Sequence, residues 1–149
     1  MNKFLLTLIV SLAFCALTIG SVEAESAKLD QGTYNDLIAG YKLAHKTKDT
    51  SKLKGLFCLD RVPKALFPRI LNHLEKGFAR SIETVTVTEI DKDWPMSYEM
   101  GGVTYSPNLK PEAQLLIQFV TGSGIQHTKL LIGEKNGEKV LITSVPEEK

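Results

Sequence analysis

Cysteine is scarce in this chain of 149 residues, which contains only Cys15 and Cys58. Cys15 falls within the apolar stretch at the start of the chain, so a protein that loses this stretch keeps one thiol. A single cysteine excludes an intramolecular disulfide and any metal site built from several cysteines. Leu56, Phe57 and Leu59 surround Cys58, so we expect its side chain to be buried. A free thiol that joins two chains is the alternative.

Neither sign of charge dominates the composition. The chain has 18 lysines and arginines and 17 aspartates and glutamates, and its formal net charge is +1. A protein whose main partner is nucleic acid needs a basic surface. The balance of charge therefore argues against nucleic acid as the main partner.

Long apolar runs are also rare, and the one that stands out is Phe4 to Ile19. Val22 and Ala24 then place small residues at the −3 and −1 positions of a cleavage site. This pattern predicts a secretory signal peptide over 1–24, cleaved before Glu25, and hence a secreted or periplasmic protein. An uncleaved anchor is the alternative, but the run falls short of the ~20 apolar residues of a spanning helix. No second run reaches that length, so we expect no membrane association after cleavage.

The remaining residues, 25–149, suit one domain with a single core, and they contain no repeat or linker. Apolar residues at helical spacing predict three helices, at Leu29 to Lys48, at 50–57 and at Pro68 to Lys76. Gly40 inside the first helix indicates a place where another element packs closely. We expect His45 to lie with Lys42 and Lys46 on a solvated basic flank.

Five strands are predicted after the helices. Asn136-Gly137 separates the last two, and this dipeptide is typical of a type I′ hairpin. The predicted strands are Ser81 to Asp91, Met96 to Tyr105, Ala113 to Thr121, Ile125 to Gly133 and Glu138 to Val145. The predicted class is α+β, with three N-terminal helices packed on one face of a curved, mainly antiparallel sheet of four to five strands.

Four stretches of the chain carry a family resemblance. They are the Tyr34 to Lys48 helix, the Lys52 to Phe57 stretch, the Pro68 to Phe78 helix and the terminal strands through Thr143. Their order resembles the cone-shaped nuclear-transport-factor-2-like superfamily, in which a long helix crosses a bent sheet and a cavity opens between them. A cystatin-like plan, with one helix on a sheet, is the nearest alternative. The resemblance covers most of the mature chain without a specific motif, and it implies either an isomerase, dehydratase or cyclase or a non-catalytic binding module.

No catalytic or cofactor-binding motif is present: there is no P-loop, dinucleotide fingerprint, zinc signature or Ser-His-Asp order. We therefore expect no cofactor and no metal. The resemblance implies that an enzyme of this fold would use an acid or base in its cavity with a tyrosine as oxyanion donor. His127 and Tyr41 are the candidates for these roles. An ordinary sheet-surface histidine opposite Gln118 or Gln114 is the favoured alternative for His127.

Four aromatic residues are candidates for a ligand pocket, since each combines an apolar ring with a polar tip. They are Tyr34, Tyr41, Trp94 and Tyr98. Trp94 follows Asp91-Lys92-Asp93, and carboxylates beside an exposed aromatic ring suit a cation or a sugar. A polar turn with Trp94 packed on the sheet edge is the favoured alternative. At their helical spacing, Tyr34 and Tyr41 are explained more simply as core residues.

The signal peptide and the lack of a catalytic constellation together predict an exported, non-enzymatic domain. Such a domain binds a small ligand or a protein partner, and a homodimer through the sheet is one form of that partner. The alternative is a cavity enzyme of the isomerase or dehydratase type. That enzyme would need His127 or an aspartate buried near a tyrosine, with a perturbed pKa.

Overall fold

The computed structural model describes residues 29–147, and the predicted signal peptide over 1–24 lies outside the described residues. A 3₁₀ turn at Gln31–Tyr34 precedes three helices, α1 (Asn35–Thr47), α2 (Thr50–Gly55) and α3 (Phe67–Glu75). A second 3₁₀ turn follows at Lys76–Ala79. Seven strands complete the fold: β1 (Ser81–Thr88), β2 (Tyr98–Met100), β3 (Val103–Pro107), β4 (Ala113–Thr121), β5 (Gly124–Lys135), β6 (Glu138–Leu141) and β7 (Ser144–Pro146). The predicted α+β class is confirmed.

The 3₁₀ turn before α1 begins at a capping residue, and α1 itself has one apolar face. The Asp30 carboxylate accepts a hydrogen bond from the Gly32 backbone N–H at 3.0 Å, which satisfies a donor in the turn that leads into the helix. Leu37, Tyr41 and Ala44 recur at helical spacing and are buried. The helix therefore lies with this face against the core, as its pattern predicts.

Two contacts hold α1 against the following elements. A Cβ added to Gly40 would lie 2.8 Å from Leu56 Cδ2, so the close packing predicted at this glycine is confirmed. His45 differs from the prediction, because it is only partly exposed. Its Nε2 lies 2.9 Å from the Gly77 carbonyl oxygen, and its ring packs edge-on against Phe78. The apolar neighbour and the carbonyl draw the imidazole inward, away from the lysines of the flank.

Four strands form an antiparallel sheet in the order β1-β4-β5-β6, and this sheet is curled. Asn136 and Gly137 turn the β5–β6 hairpin with φ angles of 53° and 83°. Positive φ at both positions is what a type I′ turn requires, so the predicted turn is confirmed. Beyond β6, Phe57 forms an isolated parallel bridge with Leu141, which brings the end of the helical half to the sheet edge.

The curled sheet of four strands agrees with the predicted sheet of four to five strands. The structure differs in a second sheet, which three short strands form in the order β2-β3-β7. The predicted strand Met96 to Tyr105 is the β2–β3 hairpin, which turns at Gly101–Gly102 with positive φ angles. The predicted strand Glu138 to Val145 is divided, since β6 pairs with β5 and β7 pairs with β3. At the division, Thr143 bonds to Asn108 through both its N–H and its carbonyl.

The helices cover one face of the four-stranded sheet. Leu115, Ile117 and Phe119 on β4 are fully buried on that face, in one cluster with Tyr41 and Leu53 of the helices. Alternate residues of a strand point to opposite sides, so the residues between them define the outer face. The outer face includes Thr84, Thr86, Leu116, Gln118, His127 and Lys129.

Candidate binding groove

The two tyrosines of the first helical region are core residues. Tyr34 is 7% exposed and Tyr41 is 2% exposed, and both belong to the main hydrophobic cluster. Burial raises the pKa of Tyr41 to about 12, against the opposing effect of the Arg80 charge. Tyr41 is therefore a neutral, enclosed phenol, and the structure places neither tyrosine beside a candidate acid or base.

His127 lies on the outer face of β5, where it is exposed and stands opposite Gln118. Tyr41 lies on the other side of the sheet, in the helical layer, so the two catalytic candidates are not brought together. No aspartate among residues 29–147 is buried. The described residues thus contain no buried acid or base next to a tyrosine.

Trp94 and Tyr98, in contrast, lie at one cavity on the outer face, which we call the Trp94–Tyr98 groove. The cavity has a volume of about 370 Å³. Buried Leu131 and Ile142 form its floor, and exposed Lys129 stands at its rim. Trp94 is half-buried and packs against the small cluster that contains both floor residues. The ring thus packs on the sheet and lines the cavity at the same time.

The β2–β3 hairpin and the segment that leads into it carry exposed apolar side chains. Tyr98 is 44% exposed and stacks on Tyr105 of the neighbouring strand, with ring centroids 5.3 Å apart and planes 7° from parallel. Met96 and Met100 are 45% and 53% exposed. The sequence reasoning identified Tyr98 but missed both methionines. Met100 alternates with Tyr98 within β2, so these two side chains share one side of the strand. Met96 precedes the strand and lines a separate cavity with Pro107 and Asn108.

An ion pair fixes the turn that carries Trp94. Lys129 Nζ lies 2.5 Å from Asp91 Oδ2, and the Gln114 side-chain amide donates to Asp91 Oδ1 at 2.9 Å. These hydrogen bonds, from Lys129 first and then from Gln114, hold the pKa of Asp91 below its usual value. Both carboxylate oxygens of Asp91 thus accept hydrogen bonds within the protein, from Lys129 and Gln114. The Asp-Lys-Asp turn positions Trp94 through this pair.

A second cavity, of about 400 Å³, lies between the start of α1, the end of α2 and the β5–β6 hairpin. Lys139 reaches it, but the Nζ atom lies 2.6 Å from both Glu112 Oε2 and Glu134 Oε2. The hydrogen bonds to Glu112 and then to Glu134 raise the pKa of Lys139. The ammonium is therefore paired with two carboxylates, and among residues 29–147 no other lysine or arginine lines this cavity.

Two further observations concern chemistry and location. Within residues 29–147, no group of three or more His, Cys, Asp or Glu side chains is arranged to hold a metal ion. No helix in that range combines the length and the apolar character needed to cross a membrane.

The chain matches no protein-family model, and comparisons with curated proteins and with solved structures also found no match.

Proposed function

We propose that this protein is an exported, non-enzymatic domain that binds a small ligand or a protein partner at the Trp94–Tyr98 groove. One observation carries the proposal: a half-buried tryptophan and an exposed tyrosine line the same cavity, and the exposed Met100 lies on the strand of that tyrosine. Contiguous exposed apolar surface on a water-soluble domain marks interaction sites. Tyrosine, tryptophan and methionine are also the side chains enriched at such sites.

Export rests on the N-terminal sequence pattern over 1–24. The order of three helices before a bent antiparallel sheet supports the resemblance to the nuclear-transport-factor-2-like superfamily. Non-catalytic binding modules are among the functions that this resemblance implies. The isomerase or dehydratase alternative receives no comparable support, because His127 is exposed and lies across the sheet from Tyr41.

The chain contains one tryptophan, so its fluorescence reports directly on the groove. We expect the neutral apolar dye Nile red to bind and to change the emission of Trp94. Tyr98→Ala should weaken that binding by about fivefold, because an aromatic contact contributes ~1 kcal/mol. Sedimentation of the same samples would show whether two copies associate through this surface.

Leu43→Ala is the matched control, since Leu43 is 49% exposed but lies on α1. This variant should bind the dye as the unchanged protein does. Equal dye affinity in Tyr98→Ala and in the unchanged protein would contradict the assignment of the groove.

A further inference from the structure

The near-neutral total charge conceals a division between the two halves of the described chain. Residues 29–80 contain ten basic and five acidic residues, whereas residues 81–147 contain five basic and nine acidic residues. The first range holds α1, α2 and α3, and its formal charge is +5. A concentrated positive surface raises the local concentration of anions.

An apolar groove opens within this basic layer, between α2, the connection that follows it and α3. We call it the α2–α3 groove, and its volume is about 360 Å³. Its apolar lining comes from the connection and from α3: Leu59, Val62, Phe67 and Leu71. These side chains offer a surface that an aliphatic chain can cover, with release of water.

Lys54 and Lys64 also line the α2–α3 groove, and both are exposed. The ion pairs within residues 29–147 are made by other lysines: Lys52, Lys129, Lys135 and Lys139. No carboxylate of that range therefore lies within 4.0 Å of Lys54 or Lys64. Lysine covers apolar surface with its methylene stem and keeps its ammonium in water, so both ammonium groups are available to an anion at the edge of the groove.

We propose that the α2–α3 groove binds a single anionic amphiphile, a molecule with one aliphatic chain and a phosphate or carboxylate head. The chain would lie on the apolar lining, and the head would be held by Lys54 and Lys64. An anion without a chain would leave the apolar lining uncovered, and a neutral lipid would leave both lysines without a partner. This site lies in the helical layer and is separate from the Trp94–Tyr98 groove on the outer face of the sheet.

Titration calorimetry with dodecyl phosphate below its micellar concentration tests the contribution of the head. Reversing two charges that face an anion should weaken binding by about tenfold or more in Lys54→Glu/Lys64→Glu. Lys92→Glu/Lys110→Glu changes the net charge equally at two exposed lysines without an ion pair in the described range. Neither of these lysines lines the groove, so the affinity of this variant should stay within about twofold of the unchanged protein. If the two double variants lost affinity for dodecyl phosphate equally, the proposed site in the α2–α3 groove would be overturned. The binding would then depend on the net charge of the protein.

The contribution of the chain is tested with butyl phosphate and with Leu71→Ser. Butyl phosphate should bind about tenfold or more weakly than dodecyl phosphate, since each methylene buried adds to affinity. Leu71→Ser should weaken the binding of dodecyl phosphate but leave the binding of butyl phosphate nearly unchanged. Ile82→Ser, at another partly buried core residue outside the groove, is the control for a general loss of packing. Equal affinity for the two phosphates would overturn the proposal.

An experiment with lipid bilayers distinguishes binding of a free amphiphile from adsorption to a membrane surface. Vesicles of phosphatidylglycerol are sedimented with the protein at the same ionic strength. Sedimentation with vesicles but no binding of monomeric dodecyl phosphate would overturn the proposal in favour of surface adsorption. Binding of monomeric dodecyl phosphate that is lost in Lys54→Glu/Lys64→Glu supports it. Neither result depends on Nile red or on Tyr98, so failure here is distinct from failure of the proposed function.

Discussion

Gly133 on β5 packs against a neighbouring backbone without room for a side chain. A Cβ at this position would lie 3.0 Å from the Lys110 carbonyl oxygen and 3.2 Å from Ile142 Cγ2. A backbone oxygen cannot rotate away as the end of a flexible side chain can. We therefore expect Gly133→Ala to lower the free energy of unfolding by about 1–3 kcal/mol, measured by urea denaturation.

Gly55→Ala is the control for this substitution. Gly55 ends α2, and a Cβ there would meet no heavy atom within 4 Å. Alanine favours a helix over glycine by up to ~1 kcal/mol, so stability should be unchanged or higher. A Gly133→Ala protein as stable as the unchanged one would contradict the close contact between β5 and the loop at Lys110.

Among the connections between elements, Asn108 joins three parts of the chain. Its side-chain amide donates to the Cys58 carbonyl oxygen at 2.8 Å and to the Asp60 carbonyl oxygen at 3.1 Å, and its Oδ1 accepts from the Thr143 N–H at 3.2 Å. Asn108 is 4% exposed, so removing its side chain leaves buried groups without partners. We expect Asn108→Ala to lower the free energy of unfolding by about 2–3 kcal/mol.

The loss of this junction has a second readout. Cys58 is a free thiol and is 2% exposed, which confirms the predicted burial. Ellman's reagent should therefore react slowly with the folded protein and faster with Asn108→Ala, because the connection around Cys58 is released. Asn72→Ala, at an exposed position of α3, should change stability by less than about 0.5 kcal/mol and leave the thiol rate unchanged. If Cys58 reacted with Ellman's reagent at the same rate in all three proteins, the role of Asn108 in holding the connection around Cys58 would be contradicted.

Elements that depend on local pattern were predictable from the sequence. The burial of Leu37 and Tyr41 follows from helical spacing, and the turn at Asn136-Gly137 follows from the need for positive φ. The division of the last predicted strand was not predictable in this way. Val140 to Val145 is a largely apolar run, and its division at Thr143 involves hydrogen bonds to Asn108, 35 residues earlier. Sequence periodicity contains no information on such a distant partner.

Of the four candidate residues for a ligand pocket, two could be judged from local pattern and two depend on the pairing of strands. Helical spacing already favoured Tyr34 and Tyr41 as core residues, and their burial agrees with this. That Trp94 and Tyr98 line one cavity depends on Leu131 and Ile142, which the pairing of β5 and β6 brings together. The surroundings of Trp94 therefore depend on strand pairing, which a single sequence does not specify.

For the molecule as a whole, ion pairs define a range of pH in which the fold is most stable. Asp49, Asp60 and Asp91 accept hydrogen bonds from lysines, and these bonds lower the pKa of each carboxyl group. The hydrogen bond that Lys135 donates to Asp60 likewise raises the pKa of Lys135, and the one that Lys139 donates to Glu112 raises the pKa of Lys139. A lowered aspartate pKa stabilises the fold above the unfolded pKa of ~3.9, and this contribution is lost as the pH falls through the folded value. A raised lysine pKa stabilises the fold below the unfolded pKa of ~10.4, and this contribution is lost as the pH rises through the folded value.

The melting temperature should therefore form a plateau between about pH 5 and pH 9 and fall on both sides. Circular dichroism melts within that range and on both sides of it measure the profile. Asp60→Asn removes the carboxylate that pairs with Lys135 at 2.7 Å, so it should lower the plateau slightly and make the acid side less steep. Asp93→Asn changes an exposed carboxylate without an ion pair within residues 29–147, and its profile should follow that of the unchanged protein. If Asp60→Asn and Asp93→Asn shared one acid profile, the pair between Asp60 and Lys135 would contribute nothing to the fold in solution, and the acid side of the plateau would have to come from the ion pairs of Asp49 and Asp91 or from net charge.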